Sequence, residues 1–543
     1  MSGACVAESD RLYSFRSLYD AYASCRRRKR NTINALRFEA SLLDNLVSLS
    51  ETLADGTYKP FRSVCFVAKQ PKHREIFAAD FRDRVIHHLL VPRIEKVFEP
   101  KFIHDSYACR KGKGTHAAVK RLKSFMNCIS KGGRVAAWFV QFDIKSFFMS
   151  IDRGLLLRIL TRHIRNPLTM AIAKTIVLQD CTKDFIYKGD PRLLQRIPPH
   201  KSLFHIPEGK GLPIGNLTSQ FFGNVYLNEL DQFVKHDLKM KFYLRYVDDF
   251  ILIHSDRNEL LAVREKIAAF LKERLSLELK PVMILKRVSE GANFLGYIVR
   301  PDYILVRNRV VGNLKSKLRQ FEAEMVEKGA IDQAIMPSLF NCEIPPNLPF
   351  PKGGDNPSLA KRGEGRFSNQ GYVHIHLLEE KVRKLRQTLA SYLGHFKHAN
   401  AYRLIRCLFE KYAYLKDIFS IDDEGSLLPL YEPPFEPETL RGQYTWATKR
   451  YGDHCIFFQV GSFCEFYGAQ AERYGGFFGL KPQTGTRMTG TQCGFPVRHL
   501  KKFKEKALQA GLPYVVVAER GFYPSGLKKR TVTEIFDLSR REL

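Results

Sequence analysis

The chain has 543 residues, 44% of them hydrophobic, and carries 87 Lys+Arg against 56 Asp+Glu, a formal net charge of +31. That length allows two to four domains with several buried cores, which excludes a disordered tail or a single small module. The excess cations are spread along the whole chain rather than gathered in one run, which points to a polyanionic partner bound with counterion release.

Residues 11–55 read as helical, with Leu12, Phe15, Leu18 and Tyr19, then Leu42, Leu43 and Leu46, at helical spacing. A basic, mixed segment follows to about residue 135. Residues 135–142 form a compact apolar run that reads as a buried strand. Residues 153–180 look helical, 181–210 read as Lys-, Pro- and Arg-rich loops, and 218–238 as a long helix. Residues 242–254 give two strand-like runs around an acidic tip. A further helix covers about 257–275, and 293–299 is a short strand. Residues 309–328 and 377–418 read as helices around a Pro/Gly-rich insertion near 336–371. The acidic, proline-containing stretch 421–440 reads as a linker to an α/β-looking segment at 441–543.

The eleven cysteines contain no C-x-x-C pair and are odd in number, which suits reduced thiols. No apolar run reaches transmembrane length, and the start turns basic by Arg26–Arg30 without a hydrophobic signal core. The expected location is the cytoplasm, with no membrane partner.

Asp143 follows the buried run 135–142, and Asp248-Asp249 lies inside the second apolar stretch. Nucleotidyl transfer needs two divalent cations, which activate the attacking hydroxyl and stabilise charge on the transferring phosphate. Hard cations want carboxylate oxygens, and the carbonyl of Ile144 offers one more ligand. Taken singly, Asp143 reads equally well as a helix cap and Asp248-Asp249 as a hairpin turn. Paired carboxylates between Val247 and Phe250-Ile-Leu-Ile fit that bland reading poorly, because apolar strands rarely hold unpartnered charges.

Phe142-Asp-Ile-Lys-Ser-Phe-Phe148 resembles motif A of reverse transcriptases, and Tyr246-Val-Asp-Asp249 resembles their motif C. Gly211-Leu-Pro-Ile-Gly-Asn-Leu-Thr-Ser-Gln220 resembles motif B. Arg74-Glu-Ile, Phe81-Arg-Asp-Arg-Val85, Ser106-Tyr-Ala-Cys-Arg110 with Gly112-Lys-Gly114, and Phe294-Leu-Gly296 match in the expected order. The resemblance covers about residues 55–300. It implies an α+β multidomain protein: a right-hand polymerase with fingers and palm over 1–300 and a helical thumb over 301–420. It also implies an RNA-directed DNA polymerase using two Mg2+ ions, with Mn2+ as a substitute, on Asp143, Ile144, Asp248 and Asp249. Template RNA, cDNA, RNA–DNA hybrid and dNTPs are the implied partners. By position, Phe148 is the expected gate against a ribose 2′-hydroxyl. Arg74 and Arg110 are expected on triphosphate or template, and Ile214, Gly215 and Gln220 beside the nascent pair. Lys286 is the candidate acid for pyrophosphate, with Lys280 competing.

Most of the family carries Gln-Gly-x-x-x-Ser-Pro in motif B. Ile214 and Gln220 here resemble the diversity-generating retroelement enzymes, which copy an RNA with frequent errors opposite adenine and work with an accessory protein. Related antiphage defence enzymes of bacteria share such strings, as they share Tyr392-Leu-Gly-His-Phe-Lys-His-Ala-Asn400. An imperfect repeat pair near the gene supports the first type, a defence island the second. A non-enzymatic nucleic-acid scaffold is the third reading, disfavoured by the intact Asp143, Asp248 and Asp249. The stretch Phe457-Phe-Gln-Val-Gly-Ser-Phe-Cys-Glu-Phe-Tyr467 resembles the N-terminal mismatch-recognition domain of MutS, with Met488-Thr-Gly, Gly494-Phe-Pro, His499-Leu and Val515-Val-Val-Ala-Glu519 in support. In that domain a Phe-x-Glu pair reads mispaired DNA, which maps onto Phe463 and Glu465. The other reading is Phe463 in the core and Glu465 in solvent.

Overall fold

The computed structural model describes residues 13–27, 32–69, 72–330, 371–434, 436–437, 439–484 and 490–538. Most of the insertion expected near 336–371, and Met488-Thr of the terminal module, lie outside the described residues. The chain divides into two compact units, Met1–Ile304 and Leu305–Leu543.

The first unit opens with α1 (Phe15–Arg26), α2 (Ile33–Glu39) and α3 (Leu42–Ala54). Leu18, Tyr22, Leu46 and Leu49 bury one stripe of α1 and α3, as the helical spacing requires. The hairpin β1 (Ser63–Ala68) and β2 (Arg74–Ala78) follows, then α4 (Phe81–Phe98) and α5 (Thr115–Ile129). The mixed charge of this stretch hides them from pattern reading, since α4 buries residues nearly all round (Val85, His87, Leu89, Val91, Ile94) and shows no clean apolar face. Next come β3 (Trp138–Asp143), α6 (Phe147–Ser150), α7 (Arg153–His163) and α8 (Pro167–Leu178). Asn166 caps α8, its Oδ1 accepting from the Thr169 N–H at 2.8 Å, with Pro167 at the first helical position. The region 181–210 holds the short β4 (Phe185–Tyr187) and three 3₁₀ turns.

The buried helix α9 (Leu217–Gln232) ends in a π turn over Phe233–Asp237. The hairpin β5 (Phe242–Tyr246) and β6 (Asp249–His254), α10 (Arg257–Leu275), β7 (Ile284–Arg287), and the pair β8 (Ala292–Phe294) and β9 (Tyr297–Val299) complete the unit. Strands order β5-β6-β3-β7 in one antiparallel sheet. Its apolar face packs on α9 and α10 through Val140, Phe142, Phe250, Leu252, Tyr226 and Ile267, all in one core cluster.

Strand β10 (Ile304–Val306) lies where the units meet along the chain. The second unit then holds α11 (Asn308–Met325), β11 (Val326–Ala330), β12 (Gly371–His376), α12 (Glu379–Phe396), α13 (Tyr402–Lys411) and α14 (Tyr414–Ile418). The helix expected over 309–328 stops at Met325, and Val326–Ala330 becomes a strand. After β13 (Phe419–Ile421) and β14 (Leu427–Pro429) come α15 (Leu440–Tyr451), β15 (Cys455–Val460), β16 (Phe463–Tyr467) and α16 (Ala469–Phe478). β17 (Gln483–Thr484), β18 (Thr491–Pro496), α17 (Leu500–Gln509), β19 (Tyr514–Phe522) and β20 (Lys528–Leu538) close the chain order. Among the described residues eight strands form one sheet in the order β11-β12-β20-β19-β15-β16-β18-β17. A single hydrophobic cluster runs from Leu314, Leu385 and Phe396 through Tyr414 to Tyr444, Ile456 and Val515. The stretch 421–440 carries β14, and Tyr431 packs against that same cluster.

Among the described residues no cysteine is disulfide-bonded, and no helix is long and apolar enough to cross a membrane.

Candidate active site

Strand geometry brings the three acids together. Asp143 ends β3 and stands directly opposite Asp249, the first residue of β6. The tight turn between β5 and β6 is held by Val247 at a left-handed φ of +55°, unusual for a β-branched residue and therefore a point of local strain. The Ile144 N–H donates to the Asp248 carbonyl at 3.3 Å. Arg245 fixes the turn from inside: its Nη1 donates to the Val247 carbonyl at 3.0 Å, while Nη2 and Nε grip Asp231 at 2.6 and 2.8 Å. Both side chains of that pair are fully buried, and Tyr243 Oη donates to Asp231 at 2.7 Å.

The acids are short of counter-charge. Gln141 Nε2 donates to both Asp249 oxygens, at 2.9 and 3.1 Å, and Lys280 Nζ pairs with Asp143 Oδ2. Asp143 Oδ1 is buried with no hydrogen-bond partner. Burial pushes the Asp249 carboxyl up to about 7 against the pull of the Gln141 amide, and the charges of Asp143 and Asp248 add to the rise. Burial, then the charge of Asp143, likewise raises Asp248. Clustered carboxylates with an orphaned buried oxygen are the donor set a hard divalent cation satisfies, so these residues fit such an ion.

Lys280 is the lysine paired with Asp143. Residues 278–280 run beside 143–145, with an Ile144–Leu279 bridge and the Lys280 N–H donating to the Asp143 carbonyl at 2.9 Å. Lys286 sits opposite Phe139, four residues back along β3 and therefore roughly 13 Å from its end at ~3.3 Å per residue. It faces Glu290 at 3.6 Å instead. Arg74 is exposed on β2, near enough to Asp248 to act on its charge. Arg110 is spent internally: Nη2 contacts Glu99 at 2.7 Å, and Nη1 donates to the Ile103 and Ser106 carbonyls at 2.7 and 2.9 Å. It braces the loop before α5 rather than reaching for phosphate.

Phe148 and Ile214 pack against one small cluster of Cys65, Phe77, Met149, Cys181 and Leu203. The loop before α9 is pinned to β2, since the Phe77 N–H donates to the Ile214 carbonyl at 3.0 Å. Asn216 Oδ1 accepts from the Ala79 N–H at 3.1 Å, a link between residues 137 apart that leaves no local trace in the sequence. Gly215 has φ +123°, and a Cβ there would stand 2.8 Å from Ile76 Cγ2 and 3.3 Å from the Phe77 carbonyl oxygen, so no larger residue fits. Gln220 Oε1 accepts from Cys109 Sγ at 3.4 Å.

In the second unit, Phe463 and Glu465 lie two apart on β16 and so share a face. Phe463 is 44% exposed, while the neighbouring rings of Phe457, Phe466 and Phe495 are buried together. Glu465 is held by the Tyr467 hydroxyl.

Residues 67–299 match the family model described as reverse transcriptase (RNA-dependent DNA polymerase), and residues 439–537 match that of MutS domain I. Group II intron-encoded protein LtrA of Lactococcus lactis subsp. cremoris is 25% identical over 324 residues, covering 47% of this chain and 50% of that protein. Protein YkfC of Escherichia coli is 25% identical over 331 residues, covering 54% and 81%. DNA mismatch repair protein MutS of Thermus thermophilus is 33% identical over 116 residues, covering 21% and 14%. The chain thus spans about half the length of the intron-encoded relative and a small part of MutS. The expected fold class, a right-hand polymerase with an α/β module after it, is borne out, the first match lying in the first unit and the second in the terminal segment.

Proposed function

We propose that this chain is an RNA-directed DNA polymerase that copies a template RNA into cDNA by two-metal nucleotidyl transfer, with low fidelity of the diversity-generating type. The observation that carries the reading is the convergence of Asp143, Asp248 and Asp249 at one end of the β5-β6-β3-β7 sheet, with a buried carboxylate oxygen left unpaired. Two Mg2+ ions, or Mn2+, held there with the Ile144 carbonyl would supply the charge that activates a primer 3′-hydroxyl and neutralises the transferring phosphate. The pairing of Lys280 with Asp143 supports assigning it, rather than Lys286, the delivery of a proton to departing pyrophosphate. Phe148 narrows the space for a ribose 2′-hydroxyl. In functional terms, 1–300 serves as fingers and palm, 301–420 as thumb, and 441–543 as a duplex-binding module joined through 421–440. Template RNA, RNA–DNA hybrid, dNTPs and an accessory protein are the partners this reading assigns, in a cytoplasmic setting.

Low fidelity rests on Ile214. It leans on an apolar cluster where the glutamine usual in the family would lose the solvation of its amide, and it leaves no side-chain donor beside the nascent pair. The test is primer extension by the purified protein on a defined RNA. Misinsertion opposite adenine is expected at least about tenfold above that opposite the other bases, equivalent to ~1.4 kcal/mol of lost discrimination. Equal fidelity at all four template bases would overturn the error-prone reading, and no extension at all would overturn the polymerase.

The raised carboxyls give a pH dependence. A carboxyl pushed up to about 7 is protonated below that pH and cannot ligate a cation. Activity is therefore expected to climb as pH rises through about 7, and raising Mg2+ to move the midpoint lower. The metal-free protein has the opposite trend in stability, which falls as pH rises from about 4 to about 7 because the fold prefers these groups protonated. A midpoint insensitive to Mg2+ would count against the assignment.

For the terminal module, an exposed phenylalanine with a pre-oriented glutamate on one strand face is a wedge suited to poorly stacked base pairs. Phe463→Ala is expected to bring the ratio of mismatched to paired duplex bound close to one, read by fluorescence anisotropy. A ratio equal to that of the wild type would remove the wedge role.

A further inference from the structure

The sheet of the second unit carries a cluster that neither polymerisation nor duplex binding uses. Strand β12 has the pattern His374-Ile-His376. Alternation on the strand puts both imidazoles on one face and Ile375, 2% exposed, into the core on the other. Their rings lie 4.0 Å apart between centroids. On one side β11 places Glu327 directly opposite His374, and on the other β20 places Glu534 directly opposite His376. One ligand atom from each of Glu327, His374 and His376 falls within 4.8 Å of the others. His376 Nε2 stands 3.9 Å from Glu327 Oε2.

We propose that Glu327, His374 and His376 bind a zinc-class divalent cation that clips the outermost strand of this sheet to its neighbour. Two imidazoles and one carboxylate are the donor set of a borderline cation; magnesium and calcium take oxygen ligands, so the chemistry separates this site from the acids on β3 and β6. Three protein ligands leave a fourth tetrahedral position for water. Bonds of about 2.0–2.1 Å require ligand atoms roughly 3.4 Å apart, a contraction reachable by side-chain rotation on a fixed ladder. Glu534 already has a cation of its own, Lys504 Nζ at 2.7 and 2.9 Å, so Glu327 is the carboxylate left to balance the metal's charge. Glu534 Oε2 also lies 3.4 Å from His374 Nε2, and the Tyr514 hydroxyl approaches the same nitrogen at 3.4 Å. Such contacts hold a ligating imidazole in place. Tyr372 Oη similarly donates to Glu327 Oε1 at 3.2 Å.

The clip has a mechanical reason. Among the described residues β11 is the edge of the sheet and pairs with β12 alone, and an edge strand is the weakest-held part of a sheet. A cation shared by the two strands ties that edge down.

The test uses the full chain, stripped with chelator and titrated with ZnCl2 in excess Mg2+ to occupy the palm acids, by calorimetry and by the visible absorption of Co2+ as a surrogate. One equivalent is expected, with thermal unfolding raised on binding. His376→Ala is expected to abolish that equivalent. Glu327→Gln, an isosteric change at an exposed residue, guards against misfolding: it is expected to weaken binding at least about tenfold while leaving the metal-free melting temperature unchanged. Absence of stoichiometric Zn2+ binding by the wild type, or binding by either variant as tight as that of the wild type, overturns the proposal whether or not the chain polymerises DNA.

Discussion

Replacing Asp143 with asparagine is expected to lower nucleotide incorporation by at least about 10³-fold, equivalent to ~4 kcal/mol of transition-state stabilisation. The substitution keeps size and shape and removes only the charge. The backbone pairing of Asp143 with Asp249 does not depend on the side chain, so the strand ends stay in place. What changes is the field at the site. Lys280 loses its ion-pair partner, and Asp248 and Asp249 lose the neighbour that helps push them up. Folding stability should hold or improve near neutral pH, since one of three crowded carboxylates is gone. Asp248→Asn should behave alike, and the double variant should be little worse than either, as expected of groups that act as a unit. Steady-state primer extension with a melting curve for each variant separates lost chemistry from lost fold. Incorporation within tenfold of wild type by folded Asp143→Asn protein would refute the role assigned to this acid.

The second large effect is predicted deeper in the same unit. Asp231→Asn should destabilise the fold by ~3–5 kcal/mol, because it strands the Arg245 guanidinium in the core without its counter-charge. Asp231 holds Arg245 through two bonds and also accepts from Tyr243. Arg245 spends its remaining donors on Asn224 Oδ1 and Ser106 Oγ, each at 3.2 Å, and on the Val247 carbonyl. That last bond ties stability to chemistry, since Val247 carries the strained turn that presents Asp248 and Asp249. Activity should therefore fall in Asp231→Asn protein even where most molecules remain folded. Replacing both partners together, Asp231→Leu with Arg245→Met, should cost less stability than Asp231→Asn alone, because no buried charge is left uncompensated. Urea unfolding of the three proteins decides this, and equal midpoints for wild type and Asp231→Asn would show the pair to be energetically idle.

The acids were legible in the sequence because paired charges interrupting apolar strands are conspicuous, and strand periodicity predicts where they surface. Their mutual register was not legible, since β3 and β6 meet only through long-range pairing. The choice between Lys280 and Lys286 depended on the same missing information: which of two lysines six apart reaches Asp143 is set by the bridge between Ile144 and Leu279. Arg110 looked like a phosphate ligand because nothing local revealed Glu99 as its partner. The β1–β2 hairpin, α4 and α5 escaped notice in a segment whose charges blur both periodicities. Strand β11 was absorbed into the preceding helix, because Val326-Glu-Lys-Gly continues a helical charge pattern and only pairing with β12 makes it a strand.

The continuous eight-stranded ladder of the second unit sets a limit on dissection. A fragment cut at residue 441 would keep the residues that resemble mismatch-repair proteins but lose β11 and β12, leaving the long strand β20 with one row of bare amides and carbonyls. Such an open flank recruits a second molecule or precipitates. An excision that respects the hydrogen-bond ladders begins after β10, near residue 307, and carries the helical segment along. The two halves of this unit are thus inseparable as material, and any graft of the terminal module onto another protein would need to bring, or rebuild, that missing border.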